Sequence, residues 1–573
     1  MIVSSNADVA AVLYEIGEIL TIKDDRFRSR AYLLAAQRIT SLTEDVKKVK
    51  ERGELDQIPG VGKSIAATIT EVIDTGESKV LEELRESLPP GVRQLMELEG
   101  IGPKNAMRLV DELKVSSIDD LEKAAKEERV RVLKGFGEKK EQNILQSIED
   151  YRNRQTRFLL GAILPVVDDM LAWMRESPAV LRAEVAGSYR RRRETIGDLD
   201  LLVASDDPDA ASARFVAMPP VERVVSHGST KSTVFLRGHL QVDCRVIPPE
   251  AYGAALQYFT GSKDHNVKLR TIGVKAGYKL NEYGLFRRED DKLVASETEE
   301  EIYKTLGMDW MPPELRENRG EIEAATEHRL PKLVELDEIR GDLHCHSSWS
   351  EGTMTIEEVA EKARALGLSY VVITDHSKSL GIARGLDEKR LREQGKEIDA
   401  LNKRLKGFTL LKGIECDIKS DGSMDLPDSS LEELDYVVAS IHSGFKNDEE
   451  TMTKRMVSAM RNEHVHAIGH PTGRIIQKRK PYPLNLERVF EEAAAQHVAM
   501  EINAFPERLD LDDVSCRQAM EAGVVMSIGT DAHALNQMEF LPLGVSVARR
   551  GWLTAGDVAN TRTAKDLVRL RRG

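Results

Sequence analysis

The chain has 573 residues, a formal net charge of −14 at pH 7 and 41% hydrophobic residues. This length corresponds to several domains of roughly 150 residues each. The acidic balance excludes a nonspecific polycation, and the four cysteines form no CxxC pair, so neither a disulfide framework nor a zinc ribbon is indicated. Proline and aspartates interrupt the most apolar stretch, which argues against a membrane anchor and predicts a cytoplasmic protein.

A short glycine motif occurs three times in the first part of the chain. It reads apolar, Gly, apolar, Gly, polar, and leads into an amphipathic helix in IPGVGKSIAATITEVI, LEGIGPKNAMRLVDEL and LKGFGEKKEQNILQSI. This is the helix-hairpin-helix pattern, in which the glycines allow close approach to a sugar-phosphate backbone and the following helix directs N–H groups at a phosphate. The pattern predicts DNA contacts at Gly60, Gly62, Gly100, Gly102, Gly135 and Gly137.

Two strand-like segments further along carry acidic side chains on one face. Asp198 and Asp200 are one residue apart in GDLDLLVAS, and Asp243 stands in the apolar segment LQVDCRVIP. The period of two along a strand places Asp198 and Asp200 on the same face. Three carboxylates on neighbouring strands form an oxygen site that suits magnesium, and two ions there would activate a 3′-hydroxyl and steady a triphosphate.

Residues 1–316 resemble a family X DNA polymerase, the group that includes DNA polymerase beta. GSYRRRRETIGDLD and QVDCRV match the palm motifs, and AYGAALQYFTGSKDHNVKLRTIGVKAGYKLNEYGLF matches the nucleotide-binding subdomain. The resemblance implies that Asp198 and Asp200 bind both metal ions, and that Asp243 binds the catalytic ion and helps to activate the primer terminus. It also implies contacts with the incoming nucleotide or the template strand by Gly187, Ser188, Arg190, Tyr258, Phe259, Gly261, Asn266 and Arg270.

The chain departs from the family pattern at two places. Lys263 and Asp264 differ from the animal members at the contact beneath the nucleotide base. Thr68 aligns with the lysine that forms a Schiff base during removal of a 5′-deoxyribose phosphate, and a threonine hydroxyl cannot form an imine. Lys63 lies nearby and is either a substitute nucleophile or a phosphate-contacting or solvated lysine. The sequence therefore gives little support to a lyase activity.

A second set of candidate metal ligands lies in the last part of the chain. Each ligand stands at or just past the C-terminal end of an apolar strand, in GDLHCHSSWSEG, VVITDHS, LLKGIECDI, DYVVASIHSG, VHAIGHP and VVMSIGTDAH. Helical segments separate these strands, which is the layout of a β/α-barrel active site. The candidate ligands are His344, His346, Glu351, His376, Glu415, His442, His470, Asp531 and His533.

Residues 337–573 resemble the polymerase and histidinol phosphatase (PHP) family. The resemblance implies up to three metal ions, held by His344, His346, Glu415 and Asp531, by Glu415, His442 and His470, and by Glu351, His376 and His533. Glu351 stands where most members carry aspartate. Carboxylate and imidazole ligands together suit manganese or zinc. Clustered cations lower the pKa of a bound water and clamp a phosphate, so hydrolysis of phosphoesters is expected.

The two halves together resemble the bacterial and archaeal family X polymerases that carry a C-terminal PHP domain. The expected fold is a multidomain α+β polymerase core, with helical helix-hairpin-helix domains and a mixed-sheet palm of the nucleotidyltransferase type, followed by an α/β PHP barrel of distorted (β/α)7 form. The expected parts are a lyase-like helical DNA-binding domain (1–82), a second helical subdomain (83–155), the palm (156–250), the nucleotide-binding subdomain (251–316), a linker (317–336) and the PHP domain (337–573).

This organisation predicts a gap-filling repair polymerase joined to a nuclease that removes 3′ ends and also acts at abasic sites or as a 3′-phosphatase. The expected cofactors are two Mg²⁺ or Mn²⁺ ions in the palm and Mn²⁺ or Zn²⁺ in the barrel. The expected partners are gapped or nicked DNA and deoxynucleoside triphosphates, without a membrane, for a monomeric protein. Two alternatives are a polymerase half that only binds DNA and a phosphatase of small molecules.

A basic segment after His470, RIIQKRKPYP, is either a track for single-stranded DNA or a solvated loop. In the first interpretation, basic side chains follow the DNA backbone and an aromatic ring stacks on a base. The residues of this predicted track are Arg474, Lys478, Arg479, Lys480 and Tyr482.

Overall fold

The computed structural model describes residues 6–569 except 24, 41–45, 59, 76–77, 87–91, 93–94, 96–97, 99–100, 102 and 155–156. The chain divides into two compact units, one of residues 1–157 with 235–241 and one of residues 158–234 with 242–573. Among the described helices, none is both long and apolar enough to cross a membrane.

The first unit is helical and has two hydrophobic cores. Leu13, Ile39 and Ile69 are fully buried in the first core, and Leu109 and Leu121 are fully buried in the second. The helices around the first core are Asn6–Ile22, Arg26–Thr40, Val46–Glu51, Lys63–Thr75 and Lys79–Glu86, and those around the second are Pro103–Leu113, Ile118–Lys126 and Gly137–Arg154.

Two of the three glycine motifs form turns that lead into helices in the described part of the chain. Gly60 has φ +91° just before the helix Lys63–Thr75, and its Cα lies so close to Leu34 that an added Cβ would sit 2.8 Å from Leu34 Cδ2. Gly135 and Gly137 have φ +85° and +63° at the start of the helix Gly137–Arg154. Only glycine adopts such angles without strain. Gly100 and Gly102 of the remaining motif lie outside the described residues.

The palm is built on a five-stranded sheet with the strand order β2-β4-β7-β6-β5, and β1 pairs with β3 beside it. Side chains alternate along β4 and β7 between buried apolar residues and the more accessible Asp200 and Asp243. The strands are β1 Phe158–Leu159, β2 Arg182–Val185, β3 Thr195–Ile196, β4 Asp198–Ala204, β5 Val221–His227, β6 Lys231–Leu236 and β7 Leu240–Ile247, with helices Leu160–Arg175, Gly187–Arg190 and Pro208–Val216.

The part of the chain predicted to be the nucleotide-binding subdomain packs helices against a small antiparallel sheet. Its helices are Tyr252–Thr260, Lys263–Lys275 and Glu299–Thr305, and its strands are β8 Tyr278–Asn281, β9 Gly284–Arg287 and β10 Leu293–Ala295. Ile322 and Ala325, from the helix Glu321–Thr326, share one core with Leu269 and Tyr303 of this subdomain. The segment 317–336, expected as a linker, therefore contributes packed residues here.

The C-terminal part is a parallel barrel of seven strands in sequential order. The backbone N–H of Asp531 donates to the carbonyl of His344 at 2.9 Å, and that of His346 donates to the carbonyl of Ala532 at 2.9 Å, so the first and last strands meet. The strands are β11 Gly341–Cys345, β12 Tyr370–Ile373, β13 Thr409–Asp417, β14 Tyr436–Ser440, β15 Ala467–Ile468, β16 Ala499–Asn503 and β17 Met526–Gly529. The expected fold class is confirmed.

Helices connect the barrel strands, and polar caps start most of them. Thr355 caps its helix in a capping box with Glu358, and the side chains of Asp387, Asp448 and Asp512 accept hydrogen bonds at the starts of three others. The helices are Ile356–Ala365, Glu388–Asn402, Asp428–Leu431, Glu449–Met460, Leu486–Gln496, Asp513–Glu521, Leu541–Arg550 and Ala564–Leu567.

Candidate active sites

The palm brings its three predicted carboxylates into mutual electrostatic contact. Burial and the negative charges of Asp198 and Asp243 together raise the pKa of Asp200 to about 7, although two nearby arginines oppose the rise. Thr233 on β6 donates a hydrogen bond to Asp243 Oδ1 at 2.7 Å and orients that side chain. Carboxylates that repel one another and are partly buried are stabilised by a cation, so this donor set fits a divalent metal.

Gly187 and Ser188 begin a short helix whose backbone lies against Asp200. Gly187 has φ +61°, and an added Cβ would stand 2.3 Å from Asp200 Oδ2. A side chain at this position would displace the carboxylate. The backbone N–H of Ala186 also donates to the carbonyl of Asp200 at 2.7 Å. The loop and the acidic strand are therefore held together closely enough for one ligand to contact both.

The predicted nucleotide contacts surround the turn between the helices Tyr252–Thr260 and Lys263–Lys275. Tyr258 and Phe259 are half-buried and pack edge to face with ring centroids 5.1 Å apart. Asn266 donates to the carbonyl of Tyr258 at 2.6 Å and accepts from Gln257 at 2.7 Å, which fixes its amide. Arg270 lies over the Tyr258 ring at 6.0 Å. The contacts of these residues with a nucleotide stay predictions.

Arg190, which was predicted to contact the triphosphate, makes a two-pronged ion pair with Glu299. Its Nη1 and Nη2 donate to the Glu299 carboxylate at 2.8 and 2.9 Å, and Nη1 also donates to Thr260 Oγ1 at 2.7 Å. The fully buried Arg316 binds the same carboxylate. We call residues 187–191 the palm loop. Arg190 thus links the palm loop to the turn that carries Gly261.

In the barrel, the six predicted histidines converge at the C-terminal ends of the strands. Ring centroids lie 4.2 Å apart for His346 and His533, 4.5 Å for His346 and His376, and 5.1 Å for His344 and His346. His442 lies 5.3 Å from His376, and His470 lies 5.2 Å from His442. Residues separated by nearly two hundred positions therefore share one buried cluster.

Glu415 stands between these histidines and presents one oxygen to each side. Its Oε1 lies 2.9 Å from His470 Nε2 and 3.3 Å from His442 Nε2. Its Oε2 lies 2.7 Å from His376 Nδ1, 3.6 Å from His344 Nε2 and 3.7 Å from His346 Nε2. A carboxylate in this position can bridge two cations.

Glu351 and Asp531 complete the acidic part of the cluster. Glu351 Oε1 lies 3.1 Å from His376 Nε2 and 3.0 Å from His533 Nε2, so this side chain reaches both histidines of its predicted ligand group. Asp531 Oδ1 lies 3.1 Å from His346 Nε2. In the described residues, potential ligand atoms lie within 4.8 Å of one another in three groups: His344, His346 and Asp531; His346, His376 and His533; and His376, Glu415 and His442.

The buried polar atoms of this cluster fit divalent cations. The side-chain atoms His344 Nε2, His346 Nδ1, His376 Nδ1, Glu415 Oε2 and His470 Nδ1 are buried and make no hydrogen bond of good geometry, although His376 Nδ1 and Glu415 Oε2 lie 2.7 Å apart. Such atoms are costly unless something pairs with them. Burial, reinforced by His533 and His376, lowers the pKa of His346 to about 3, so this ring is neutral and can donate a lone pair.

The two central carboxylates are ionised despite their burial. Burial alone would raise the pKa of Glu415, but His376, His442 and His344 hold it well below its ordinary value. Burial also opposes the charge of Asp531, whose pKa His344 and His346 keep well below its ordinary value. The cluster thus combines anionic oxygens with imidazole nitrogens, which is the ligand chemistry of manganese and zinc sites.

Sequence reasoning missed the residues that orient these ligands. Glu501 Oε1 lies 2.6 Å from His344 Nδ1, Asp417 Oδ1 lies 2.5 Å from His442 Nδ1, and Asn503 donates to Asp531 Oδ2 at 3.0 Å. Glu501 and Asn503 stand at alternate positions at the end of β16, AMEIN, where the period-two pattern of the other strands could have identified them.

Asp375 organises the loop that carries Glu351. It is fully buried and accepts hydrogen bonds from the backbone and hydroxyl groups of Ser347 and Ser350 and from the amide of Gln394. Its position directly before His376 is the signal that could have revealed it. Polar residues that fix metal ligands in this way commonly matter for metal binding.

The interpretation of RIIQKRKPYP as a DNA track is wrong for Arg474 and Tyr482. The Arg474 side chain is 12% exposed and binds Glu194 and the carbonyls of Arg508 and Leu509. Tyr482 is 5% exposed and stacks on Phe445, so it has no face for a base. Lys478 pairs with Glu507, and Arg479 lies over the Phe445 ring.

Thr68, at the position of the family's lyase lysine, is buried in the first helical core. Its hydroxyl donates to the carbonyl of Ser64 and lies 3.2 Å from the Tyr32 hydroxyl. Lys63 is exposed at the start of the same helix. The geometry therefore gives Thr68 a structural role, and the role of the exposed Lys63 stays a prediction.

Four family descriptions match successive parts of the chain. They are a helix-hairpin-helix domain at residues 4–78, a SAM-like helix-hairpin-helix tandem at 92–150, a DNA polymerase beta thumb at 255–317 and a PHP domain at 342–505. The DNA polymerase/3′-5′ exonuclease PolX of Bacillus subtilis (strain 168) is 37% identical over 563 residues, which cover 98% of this chain and 98% of that protein. The chain belongs to the PolX family.

Two further relatives match only part of the chain. A probable phosphatase of Thermoanaerobacter sp. (strain X514) is 30% identical over 39% of this chain and 91% of its own length. DNA polymerase lambda of Rattus norvegicus is 23% identical over 54% of this chain and 56% of its own length. The PolX family thus combines in one chain the two resemblances that the sequence motifs indicated.

Proposed function

We propose that the chain is a template-directed DNA polymerase for short gaps whose barrel is a metal-dependent 3′-5′ exonuclease. The observation that carries the proposal is the near-complete match to the PolX polymerase/exonuclease in a chain that retains both residue constellations. The three palm aspartates lie on two strands of one sheet, and the nine candidate barrel ligands lie on the barrel strands or in the segments that follow their C-terminal ends. Both sites have the residues that their reactions need.

In the palm, side chains and backbone groups of the protein align the 3′-hydroxyl of the primer with the triphosphate of the incoming nucleotide. Gly187 and Ser188 offer small residues and backbone N–H groups to a triphosphate, and Asp198, Asp200 and Asp243 hold the cations. Bound divalent ions would supply charge neutralisation for phosphoryl transfer. Tyr258 and Phe259 crowd the position of the sugar and thereby disfavour a 2′-hydroxyl. The products are a primer longer by one nucleotide and pyrophosphate.

In the barrel, the histidines and carboxylates prepare a site for a phosphodiester. Glu415 and Asp531 contribute negative charge, and the neutral ring of His346 contributes a lone pair. Bound Mn²⁺ or Zn²⁺ would supply a water of lowered pKa and a clamp for the phosphate. Glu501 and Asp417 keep His344 and His442 oriented with Nε2 toward the cluster. We further propose cleavage at abasic sites and removal of 3′-phosphates by the same groups.

The proposed partners follow from these two sites. The helix-hairpin-helix glycines would hold the DNA on both sides of a gap, and deoxynucleoside triphosphates would enter at the palm. We propose two Mg²⁺ or Mn²⁺ ions in the palm, up to three Mn²⁺ or Zn²⁺ ions in the barrel, and a monomeric cytoplasmic protein.

A second candidate function is hydrolysis of a small phosphate monoester. The similarity of this chain to probable phosphatases, over 39% and 34% of its length, favours it. The alternative in which the polymerase half only binds DNA has less support, because Asp198, Asp200 and Asp243 are all present and electrostatically coupled.

The test uses a primer labelled at its 5′ end in a short gap with a downstream 5′-phosphate, in manganese, with and without deoxynucleotides. We compare wild type with Asp198→Ala/Asp200→Ala and with His344→Ala/His346→Ala. The palm variant should lose extension and still shorten the primer, and the barrel variant should do the reverse. Shortening by none of the proteins in any metal, together with hydrolysis of a small phosphate monoester that the barrel variant loses, would support the second candidate.

A further inference from the structure

A residue of the barrel holds the palm loop, which begins with Gly187 and Ser188. Arg550 ends the helix Leu541–Arg550 and is 5% exposed. Its Nη1 donates to the carbonyl of Arg191 at 2.6 Å and to Glu317 Oε1 at 3.2 Å. Its Nη2 donates to Asp513 Oδ2 at 2.6 Å. The guanidinium therefore ties the backbone of the palm loop to two carboxylates, Glu317 and Asp513, whose side chains are only 13% and 16% exposed.

Arg191 extends this contact to the turn at Gly261. Its Nη1 donates to the carbonyl of Thr260 at 2.5 Å, and its Nε donates to Glu317 Oε1 at 3.1 Å. A Cβ added to Gly261 would lie 3.1 Å from Arg191 Nη1, so the guanidinium rests directly against the turn. The same carboxylate oxygen of Glu317 thus accepts from Arg191 and from Arg550.

The spacing between the palm loop and the Gly261 turn depends on the ion pairs that Glu317 and Asp513 make with arginines. Glu317 and Asp513 lie between guanidinium groups, and removal of one partner leaves another charge buried without compensation. The planar fork of an arginine can serve the carbonyl and both carboxylates at once, whereas the single ammonium of lysine cannot reproduce that geometry. The position of Arg191 is consequently sensitive to residue 550.

We propose that Arg550 is a positioning residue for nucleotide incorporation, through which the barrel holds the palm loop at the distance from the Gly261 turn that a triphosphate requires. The inference rests on the proposed assignment of Gly187 and Ser188 to the triphosphate. It gives the barrel a second role, in nucleotide binding, that does not depend on its own metal ligands.

The test compares Arg550→Lys in the full chain with Arg549→Lys. Arg549 is the adjacent residue of the same helix, and it pairs with Glu314 and Glu335 instead of the palm loop. For filling of a single-nucleotide gap, we expect Arg550→Lys to raise the KM for the deoxynucleotide about tenfold, or about 1.4 kcal/mol. The kcat, the exonuclease rate and the Tm should change little, and Arg549→Lys should match wild type in all four.

Glu317→Gln supplies a second variant and a coupling measurement. It should also raise the KM, and its effect should be non-additive with Arg550→Lys and additive with Arg549→Lys, because contacting residues couple. An unchanged KM in Arg550→Lys would overturn the inference. A parallel loss of kcat, exonuclease rate and Tm would also overturn it, since this indicates general destabilisation.

Ser188→Ala separates this inference from the assignment on which it rests. A raised KM in Ser188→Ala with a normal KM in Arg550→Lys overturns only the role of Arg550. A normal KM in Ser188→Ala overturns the assignment of the triphosphate to this loop, and the role of Arg550 in nucleotide binding with it.

Discussion

Glu501 determines which ring nitrogen of His344 faces the metal cluster. Its Oε1 lies 2.6 Å from His344 Nδ1 and accepts a hydrogen bond from it, which directs Nε2 toward Glu415 and Asp531. Its Oε2 accepts from the backbone N–H of His470 at 2.6 Å. One carboxylate therefore orients candidate ligands from two different strands, and it needs both oxygens as acceptors to do so.

Glu501→Gln tests this role at constant size. A glutamine has one acceptor oxygen, so its amide N–H₂ must face either His344 or the backbone N–H of His470. We expect the exonuclease rate and the metal bound by the barrel to fall about 10–100-fold, as is typical when such a partner of a metal ligand is lost. Gap filling should be unchanged.

The control for this prediction is Glu507→Gln, which removes a half-exposed carboxylate that pairs with Lys478. Its exonuclease rate should equal that of wild type. Metal content measured by elemental analysis distinguishes loss of the ion from misalignment of a bound one. A wild-type exonuclease rate in Glu501→Gln would show that the orientation of His344 does not depend on this contact.

The C-terminal end of β17 packs so closely against two neighbouring strands that only a glycine fits there. Gly529 ends β17 beside His344 of β11 and Glu501 of β16. An added Cβ would stand 2.3 Å from His344 Cβ and 2.5 Å from Glu501 Oε1. Real Cβ atoms do not approach so closely, and the interior of a barrel is packed too densely to yield.

Gly529→Ala should therefore displace His344 and reduce exonuclease activity at least about 10-fold, with a loss of about 1–3 kcal/mol in stability from overpacking. Polymerase activity should persist. The matched control is Gly395→Ala, whose new methyl group would meet Lys412 methylenes at 3.6 and 3.7 Å inside a helix. That variant should be active and at least as stable as wild type. Equal exonuclease rates in the two variants would contradict the prediction.

The convergence of the candidate ligands could be predicted from the sequence because they lie at or just past the ends of apolar strands, and parallel strands of a barrel bring those ends together. The orienting residues were missed because Glu501 lies on a strand that contributes no ligand. The error at Arg474 has another cause. Its partner Glu194 lies 280 residues upstream, and composition cannot reveal a pair of that sequence separation. A basic side chain of a loop can be held in a buried position by an ion pair with a carboxylate that is distant in the sequence.

At the scale of the molecule, partly buried ion pairs join the polymerase half to the barrel within the second compact unit. Arg319 binds Asp513 at 3.0 Å, Arg474 binds Glu194 at 2.6 Å, and Glu317 accepts from Arg550. Burial raises the pKa of Glu317, but Arg550, Arg191 and further arginines outweigh this and lower it to about 2. The ordinary value is 4.5. Charge on this carboxylate therefore stabilises the folded state.

The sign of the resulting pH dependence follows from this depressed pKa. The contribution of Glu317 is fully present above the unfolded pKa and is lost as the pH falls from near 4.5 toward 2. It is at most on the order of 3 kcal/mol. We expect the difference in unfolding free energy between wild type and Glu317→Gln to be constant from pH 8 to about pH 6 and to shrink steadily below about pH 5.

Urea unfolding followed by tryptophan fluorescence measures this difference. All four tryptophans lie in the second unit, so the signal reports the part of the chain that contains Glu317. The control is Glu323→Gln, which changes a half-exposed carboxylate of the same segment and should differ from wild type by a small amount at every pH. If the difference for Glu317→Gln is as large at pH 3 as at pH 7, the carboxylate does not draw its stabilising effect from the arginines that join the two halves.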